Sequence, residues 1–235
     1  MSDALVAQLK AVSTATLTTA LFKRGLRNTF VQDVRPLDPN VARMAGPAFT
    51  LRYIPAREDL DTLSVFEDPQ HPQRLAVETI PEGHVMVIDS RGDARAASAG
   101  SILIHRMQVR GAAGIVTDGG LRDAEAIAAL RFPAFCRRPS APTNLIHHHA
   151  IDIDVPIACG EVAVYPGDWI VGDAEGVVVV PKHLVAEIAA EAVAMTAFED
   201  YVDAEVGKGR SIVGLYPPNA ETRAAFEASR KPKGR

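Results

Sequence analysis

Apolar residues recur at helical spacing through positions 3–24 (Leu5, Leu9, Val12, Leu17 and Leu21) and stop at Gly25, predicting an opening helix with a glycine C-cap. Phe49, Leu51 and Tyr53 alternate as a strand, and residues 55–80 read as a loop broken by Pro69 and Pro72 and followed by a short helix. Pro81-Glu82-Gly83 is a turn, and Val85–Asp89 is a buried strand with a carboxylate at its end. A helix over 99–110, a strand over 113–117, a helix over 123–130 and a strand at Ala134–Cys136 follow. After a loop rich in proline and polar residues (Arg137–Asn144), strands are expected near 151–157, 161–164, 168–173 and 176–180. A closing helix runs from about His183 to Val206, and Pro217-Pro218 opens a tail. Helices alternate with strands as far as residue 136 and strands dominate thereafter. That is an α/β layout in one domain, 1–216, with a tail, 217–235.

Composition narrows the function classes. A chain of 235 residues with 47% apolar and 23% charged positions can bury a globular core. A net charge of −4 gives no global field favouring nucleic acid or an anionic membrane. The basic end, Arg230–Arg235, reads as a solvated terminus. The start has no apolar core of signal-peptide type and no window approaches a membrane span, so a cytoplasmic location is expected. Cys136 and Cys159 form neither a disulfide framework nor a zinc spacing, and both are expected reduced in or near strands.

The segment Gly111–Ile127 carries the densest chemistry. An apolar strand meets Gly119-Gly120, read as a backbone turn, and then Arg122-Asp123 at a helix start. Such an arginine can fork onto a carboxylate, and such an aspartate can hold a hard divalent cation with waters. The alternative is a helix-capping Asp123 beside a solvated Arg122. The helix start Gly100-Ser101-Ile102-Leu103 offers free N–H groups to an anion, and two successive sheet units would bring it to the same edge as Arg122 and Asp123. Consecutive histidines point in different directions, so His147-His148-His149 rarely converge on one ion; the readings left are acid/base chemistry by one of them or a solvated loop. Asp168, Asp173 and Glu175 read as turn-forming, and the hydroxyl-rich first helix (Ser13, Thr14, Thr16, Thr18, Thr19) as a packing surface.

Taken in order, STATLTTAL (13–21), PEGHVMVID (81–89), AGSIL (99–103), RGAAGIVTDGGLRD (110–123) and VAVYPGDWIVGDAEGVVVVP (162–181) resemble the RraA-like family, which includes the 4-hydroxy-4-methyl-2-oxoglutarate aldolases. The resemblance implies a compact α/β/β sandwich of the swivelling type, assembled as a homotrimer or a dimer of trimers with sites between subunits. It implies a Mg²⁺- or Mn²⁺-dependent lyase, an aldolase with oxaloacetate decarboxylase side activity, acting on a small 2-oxo acid through a pyruvate enolate. In that scheme Arg122 binds the pyruvyl carboxylate, Asp123 holds the metal, and the amides around Gly100, Ser101, Ile102 and Leu103 grip the ligand.

Two departures mark this chain. Ser101 stands where the aldolases carry an acidic residue, and Thr19 where an acidic residue ends the first-helix motif. A replacement acid/base is expected from His148 or His149, or from Glu199 or Glu205 of a neighbouring subunit. The segment Pro139–Asp154 also departs from the aldolases, which implies a changed substrate. The family's non-catalytic regulators, which bind a ribonuclease, form the alternative reading, and a sugar-acid dehydratase on the same scaffold a third. Asp123 favours the enzyme.

Overall fold

The computed structural model describes residues 3–40 and 43–230. The opening apolar stripe forms two helices, α1 (Asp3–Ala11) and α2 (Thr14–Phe22), where the periodicity predicts one. Ser13 breaks the run. Its backbone is extended and its hydroxyl accepts from the Thr16 N–H at 3.0 Å, an N-cap that starts a new helix. Thr14 then donates its N–H and hydroxyl to the Asp173 carboxylate at 2.8 and 2.9 Å, so the hydroxyl-rich patch docks on a distant turn.

The strands and remaining helices follow in order. They are β1 (Arg35–Pro36), β2 (Met44–Pro55), α3 (Pro72–Thr79), β3 (Val85–Asp89), β4 (Ala97–Ala99), α4 (Ser101–Val109), β5 (Gly114–Thr117), β6 (Gly120–Leu121), α5 (Ala124–Ala129), β7 (Ala134–Cys136) and β8 (Arg138–Pro139). The second half adds β9 (His148–Ile153), β10 (Ile157–Cys159), β11 (Val162–Val164), β12 (Trp169–Gly172), β13 (Val177–Val180), α6 (Val185–Gly207) and α7 (Ala220–Ser229). The strand expected over 151–157 is thus divided between β9 and β10.

The main sheet runs β1-β7-β5-β3-β2-β12-β13, with β9 also paired to β2. β2, β3, β5 and β7 are parallel neighbours; β1, β9, β12 and β13 join antiparallel. Alternation along each strand then sorts the core. Met86 and Ile88 face α3, α4 and α5, alongside Ala76, Ile104 and Ile127. Val85, Val87, Val116 and Phe135 face the opposite way, onto β10, β11, β12 and β13. The outer side of β12 and β13 is covered by α1, α2 and α6 through Leu9, Leu17, Leu21 and Ile188. The expected α/β/β sandwich is present, with this last helical layer added to it.

Phe135 is fully buried and its ring abuts Gly172, where a Cβ would stand only 2.7 Å from Cζ. Phe135→Ala is expected to destabilise the fold by about 3–5 kcal/mol, read as a lower denaturant midpoint at unchanged slope. Cys136 and Cys159 lie buried in β7 and β10 as free thiols, and burial raises both pKa values, Cys136 to about 11. Beyond Pro217-Pro218 the expected tail contains α7, capped by the Asn219 side chain and packed through Phe226 on Phe198 and Tyr201 of α6. All of the basic end except Arg230 lies outside the described residues. Among the described residues, no single helix is long and apolar enough to cross a membrane.

Candidate active site

β4, β6 and β8 form a small parallel sheet beside the main one. β4 runs directly into α4, and β6 into Arg122-Asp123 and α5, so the two strand–turn–helix units open at one edge. The Arg122 N–H donates to the Ala99 carbonyl at 3.1 Å, which fixes one turn against the other. Gly119 and Gly120 do not supply the left-handed backbone expected of a turn; they permit close approach. A Cβ on Gly119 would sit 2.6 Å from Ser90 Cβ and Ser98 Oγ. The left-handed residue is Asp123 itself, at φ 62°, a conformation that aspartate tolerates better than most side chains.

Asp123 sits at the N-cap of α5 but makes no capping hydrogen bond there. Its carboxylate reaches α4 instead, where Oδ2 accepts from the Ser101 N–H and hydroxyl, each at 3.2 Å. Gly100 is what allows this: a Cβ there would lie 2.9 Å from both Arg122 Cγ and Asp123 Oδ2. The Ser101 amide, above all, holds the Asp123 pKa below the usual carboxylate range; burial opposes it, and the Ser101 hydroxyl and the Arg122 charge add smaller lowering effects. Arg122 Nε stands 3.7 Å from Asp123 Oδ1, near enough for charge attraction and too far for a hydrogen bond.

These groups open on a cavity of about 560 Å³. Gly100, Ile102, Leu103, Arg122 and Asp123 line it, whereas Ser101 is not part of the lining and is tied to it through its bonds to Asp123. In the first turn of α4 the Ile102 and Leu103 N–H groups have no intrahelical acceptor and remain free for a ligand. The rest of the lining was not singled out as site residues by the sequence. Leu63 and Phe66 come from the loop before α3, Gln73 and Arg74 from α3 itself, and Thr143 and Asn144 from the turn before β9. Gln73 is locked in place, donating to Tyr53 Oη at 3.0 Å and to the Ser98 carbonyl at 2.8 Å.

The structure does not bring His148 or His149 to this cavity. His149 Nδ1 is paired with the buried Asp61 carboxylate, and His147 Nδ1 stands 3.9 Å from Asp93. Glu199 accepts from Thr16 Oγ1, and Glu205 pairs with Lys208 and Arg210 of the same chain. His148 is fully buried and stacked on Tyr53, ring centroids 5.4 Å apart. Its Nδ1 lies 3.2 Å from Arg91 Nη2, which can only donate, and its Nε2 has no partner.

Burial, then the Arg91 charge, lowers the His148 pKa to about 4. The unfolded chain therefore binds the extra proton first, between about pH 6.5 and pH 4. The stability that His148 contributes is complete above that window and is lost as the pH falls through it. Urea midpoints taken across this window should fall steeply for the wild type and more shallowly for His148→Gln.

Comparison with known proteins agrees with the fold and the motifs. The family model RraA-like, Aldolase/RraA, matches residues 14–179. A protein of Halalkalibacterium halodurans bearing the provisional name 4-hydroxy-4-methyl-2-oxoglutarate aldolase is 36% identical over 177 residues, covering 75% of this chain and 76% of its own. One of the same name from Xanthomonas campestris pv. campestris is 34% identical over 128 residues, 54% of this chain and 76% of its own. Among solved structures, Streptomyces coelicolor RraAS2, described as an unusual member of the RNase ES inhibitor RraA protein family, superposes with a TM-score of 0.75 at 31% identity, over 86% of this chain and 96% of that one. On the family match and these identities, the chain belongs to the RraA-like, Aldolase/RraA family.

Proposed function

We propose that this protein is a divalent-metal-dependent lyase, an aldolase and decarboxylase that cleaves a small 2-oxo acid through a pyruvate enolate. The observation that carries the reading is the convergence, at one cavity, of an ionised carboxylate, an arginine outside hydrogen-bonding range of it, and the free amides of a helix start. The relatives named as aldolases support the reaction class.

The donor set suits a hard cation. Asp123 is the one carboxylate in the lining, and among the described residues no group of three His, Cys, Asp or Glu could hold a metal. One carboxylate completed by water and substrate oxygens is a Mg²⁺ or Mn²⁺ site, unlike the closed nitrogen and sulfur shell of structural zinc. When bound, such an ion supplies Lewis-acid polarisation of the 2-oxo group.

The chain's own residues do the rest. Arg122 forks onto the substrate carboxylate, which also accepts from the Ile102 and Leu103 amides at the positive end of α4. Ser101 keeps Asp123 ionised by donating to it. The Ser101 hydroxyl is engaged by Asp123 and serves as a donor to it.

The direct test is oxaloacetate decarboxylation, in which the C3–C4 bond breaks to release CO₂ and C3 of the enolate left behind takes a proton from solvent to give pyruvate. Pyruvate should appear with Mg²⁺ or Mn²⁺ and stop with excess chelator; release that ignores chelator overturns metal dependence. The likeness to RraAS2 supports a second reading, a regulator that binds a ribonuclease. It predicts a ribonuclease complex that persists in chelator, together with no turnover.

A further inference from the structure

We infer that Arg91, Arg95, Arg137 and Arg138 build a binding site for a small molecule bearing a phosphoryl group. Their cavity shares no lining residue with the candidate active site.

The chain as a whole is acidic, with a net charge of −4, yet four guanidinium groups surround one cavity of about 550 Å³. That volume suits a small ligand. The arginines come from the loop after β3 and from the residues after β7. Both strands run parallel to β5 between them, so the cavity lies at the carboxyl ends of the parallel strands, where open α/β sheets take their ligands. The loop is held from behind. Arg91 and Gly92 follow one another in left-handed backbone, φ 58° and 67°, and the buried Asp118 carboxylate accepts from the Ser90 and Gly92 N–H groups at 2.7 and 2.8 Å.

Three of the guanidinium groups are oriented by neutral acceptors. Arg91 Nη2 donates to the His147 carbonyl, Arg137 Nη1 to the Gly92 carbonyl, and Arg138 Nε to the Ala94 carbonyl. A carbonyl fixes the direction of the fork without answering its charge. Arg95 pairs with Asp93, and Arg137 also with Asp33. Among the described residues no ion pair reaches Arg91 or Arg138, because Asp89 is turned to the Arg91 backbone N–H and Asp118 to the loop amides. Two guanidinium charges are therefore left over. A phosphate monoester carries about −1.5 to −2 at neutral pH and three acceptor oxygens, which match two leftover charges and forks arriving from two chain segments. A carboxylate presents two oxygens in one plane and a single charge.

The test is calorimetry on the full-length protein at neutral pH and constant ionic strength. Excess chelator is present, so that no divalent ion bridges the probe to Asp123. Inorganic phosphate and pyrophosphate should each saturate a single site per chain. Malonate, a dianion without a phosphoryl group, should bind at least about 10-fold more weakly. Tighter binding of pyrophosphate identifies a polyphosphate ligand, and parity identifies a phosphate ester; either supports the site. Arg138→Gln and Arg91→Gln should each weaken phosphate binding by about 10- to 100-fold, the loss of a charge-assisted contact. Arg138 is exposed and its one bond within the chain is long, at 3.3 Å, so Arg138→Gln should melt near the wild-type temperature. Arg138→Lys should recover part of the affinity.

Arg122→Met should bind phosphate as the wild type does. Loss of binding in that variant, with full binding in Arg138→Gln, would assign the anion to the candidate active site and overturn the inference. So would the absence of saturable binding, malonate binding as tightly as phosphate, or an affinity that survives both glutamine substitutions.

Discussion

Asp123→Asn is expected to lower metal-dependent pyruvate release by about 10³-fold or more, the several kcal/mol of charge stabilisation that a bound divalent ion supplies. The variant keeps the size of the side chain and an oxygen able to accept from Ser101, and asparagine tolerates the left-handed backbone found at this position. What it loses is the charge. Asp123→Ala should lose turnover equally, but it also removes the acceptor on α4 and places alanine at φ 62°, which costs about 1–2 kcal/mol. The asparagine variant is therefore the decisive one. Its melting temperature should stay near that of the wild type while activity disappears at every Mg²⁺ concentration tried. Substantial turnover by Asp123→Asn would mean that the cation, or the chemistry, lies elsewhere.

The parts of this site that were legible in the sequence are those built locally. Arg122 and Asp123 follow a buried strand and a pair of glycines within a few residues, and the α4 start follows β4 in the same way, so periodicity and turn chemistry were enough. The central strands were equally plain, because β3 and β5 are continuous apolar runs buried on both faces. Ser13 was not, since within a helical stripe a serine reads equally as a helix residue or as a cap, and its role is settled by Asp173 receiving Thr14 far along the chain. The histidine triplet promised acid/base chemistry because histidine titrates near neutrality. Strand alternation instead turned His148 into the core, onto Tyr53, and His149 towards Asp61.

Arg74 carried no local signal, and Asn144 stood out only as part of the segment Pro139–Asp154 that departs from the aldolases. One lies on a short helix and the other in a proline-rich turn, and only packing around β4 brings them to the same cavity. The glycines misled in a different way. Gly119 looked like a residue freed to turn, whereas the constraint is spatial, set by Ser90 and Ser98 on the strand ends packed against it.

Arg122 gives the second large effect, and its substitutions separate charge from geometry. Arg122→Lys keeps a cation near Asp123 but loses the planar fork, so the loss should appear mainly in KM for oxaloacetate, by about 10- to 100-fold, as expected for a charge-assisted contact reduced to a point charge. Arg122→Met removes the charge as well and should lower kcat/KM further. The pH profile supplies a readout that lost substrate affinity alone would not move. The Ser101 amide and hydroxyl hold the Asp123 pKa down first, and Arg122 adds to them. Without the guanidinium the ionised form of Asp123 is less favoured and its pKa rises, so the acid limb of the metal-dependent rate should move to higher pH in Arg122→Met. In Arg122→Lys the limb should stay close to the wild-type position, because the neighbouring charge is kept. In Arg122→Met the limb should move only partway towards that of an ordinary carboxylate, since both Ser101 donors remain. Identical acid limbs in all three proteins would show that Asp123 is not the group whose ionisation turnover requires.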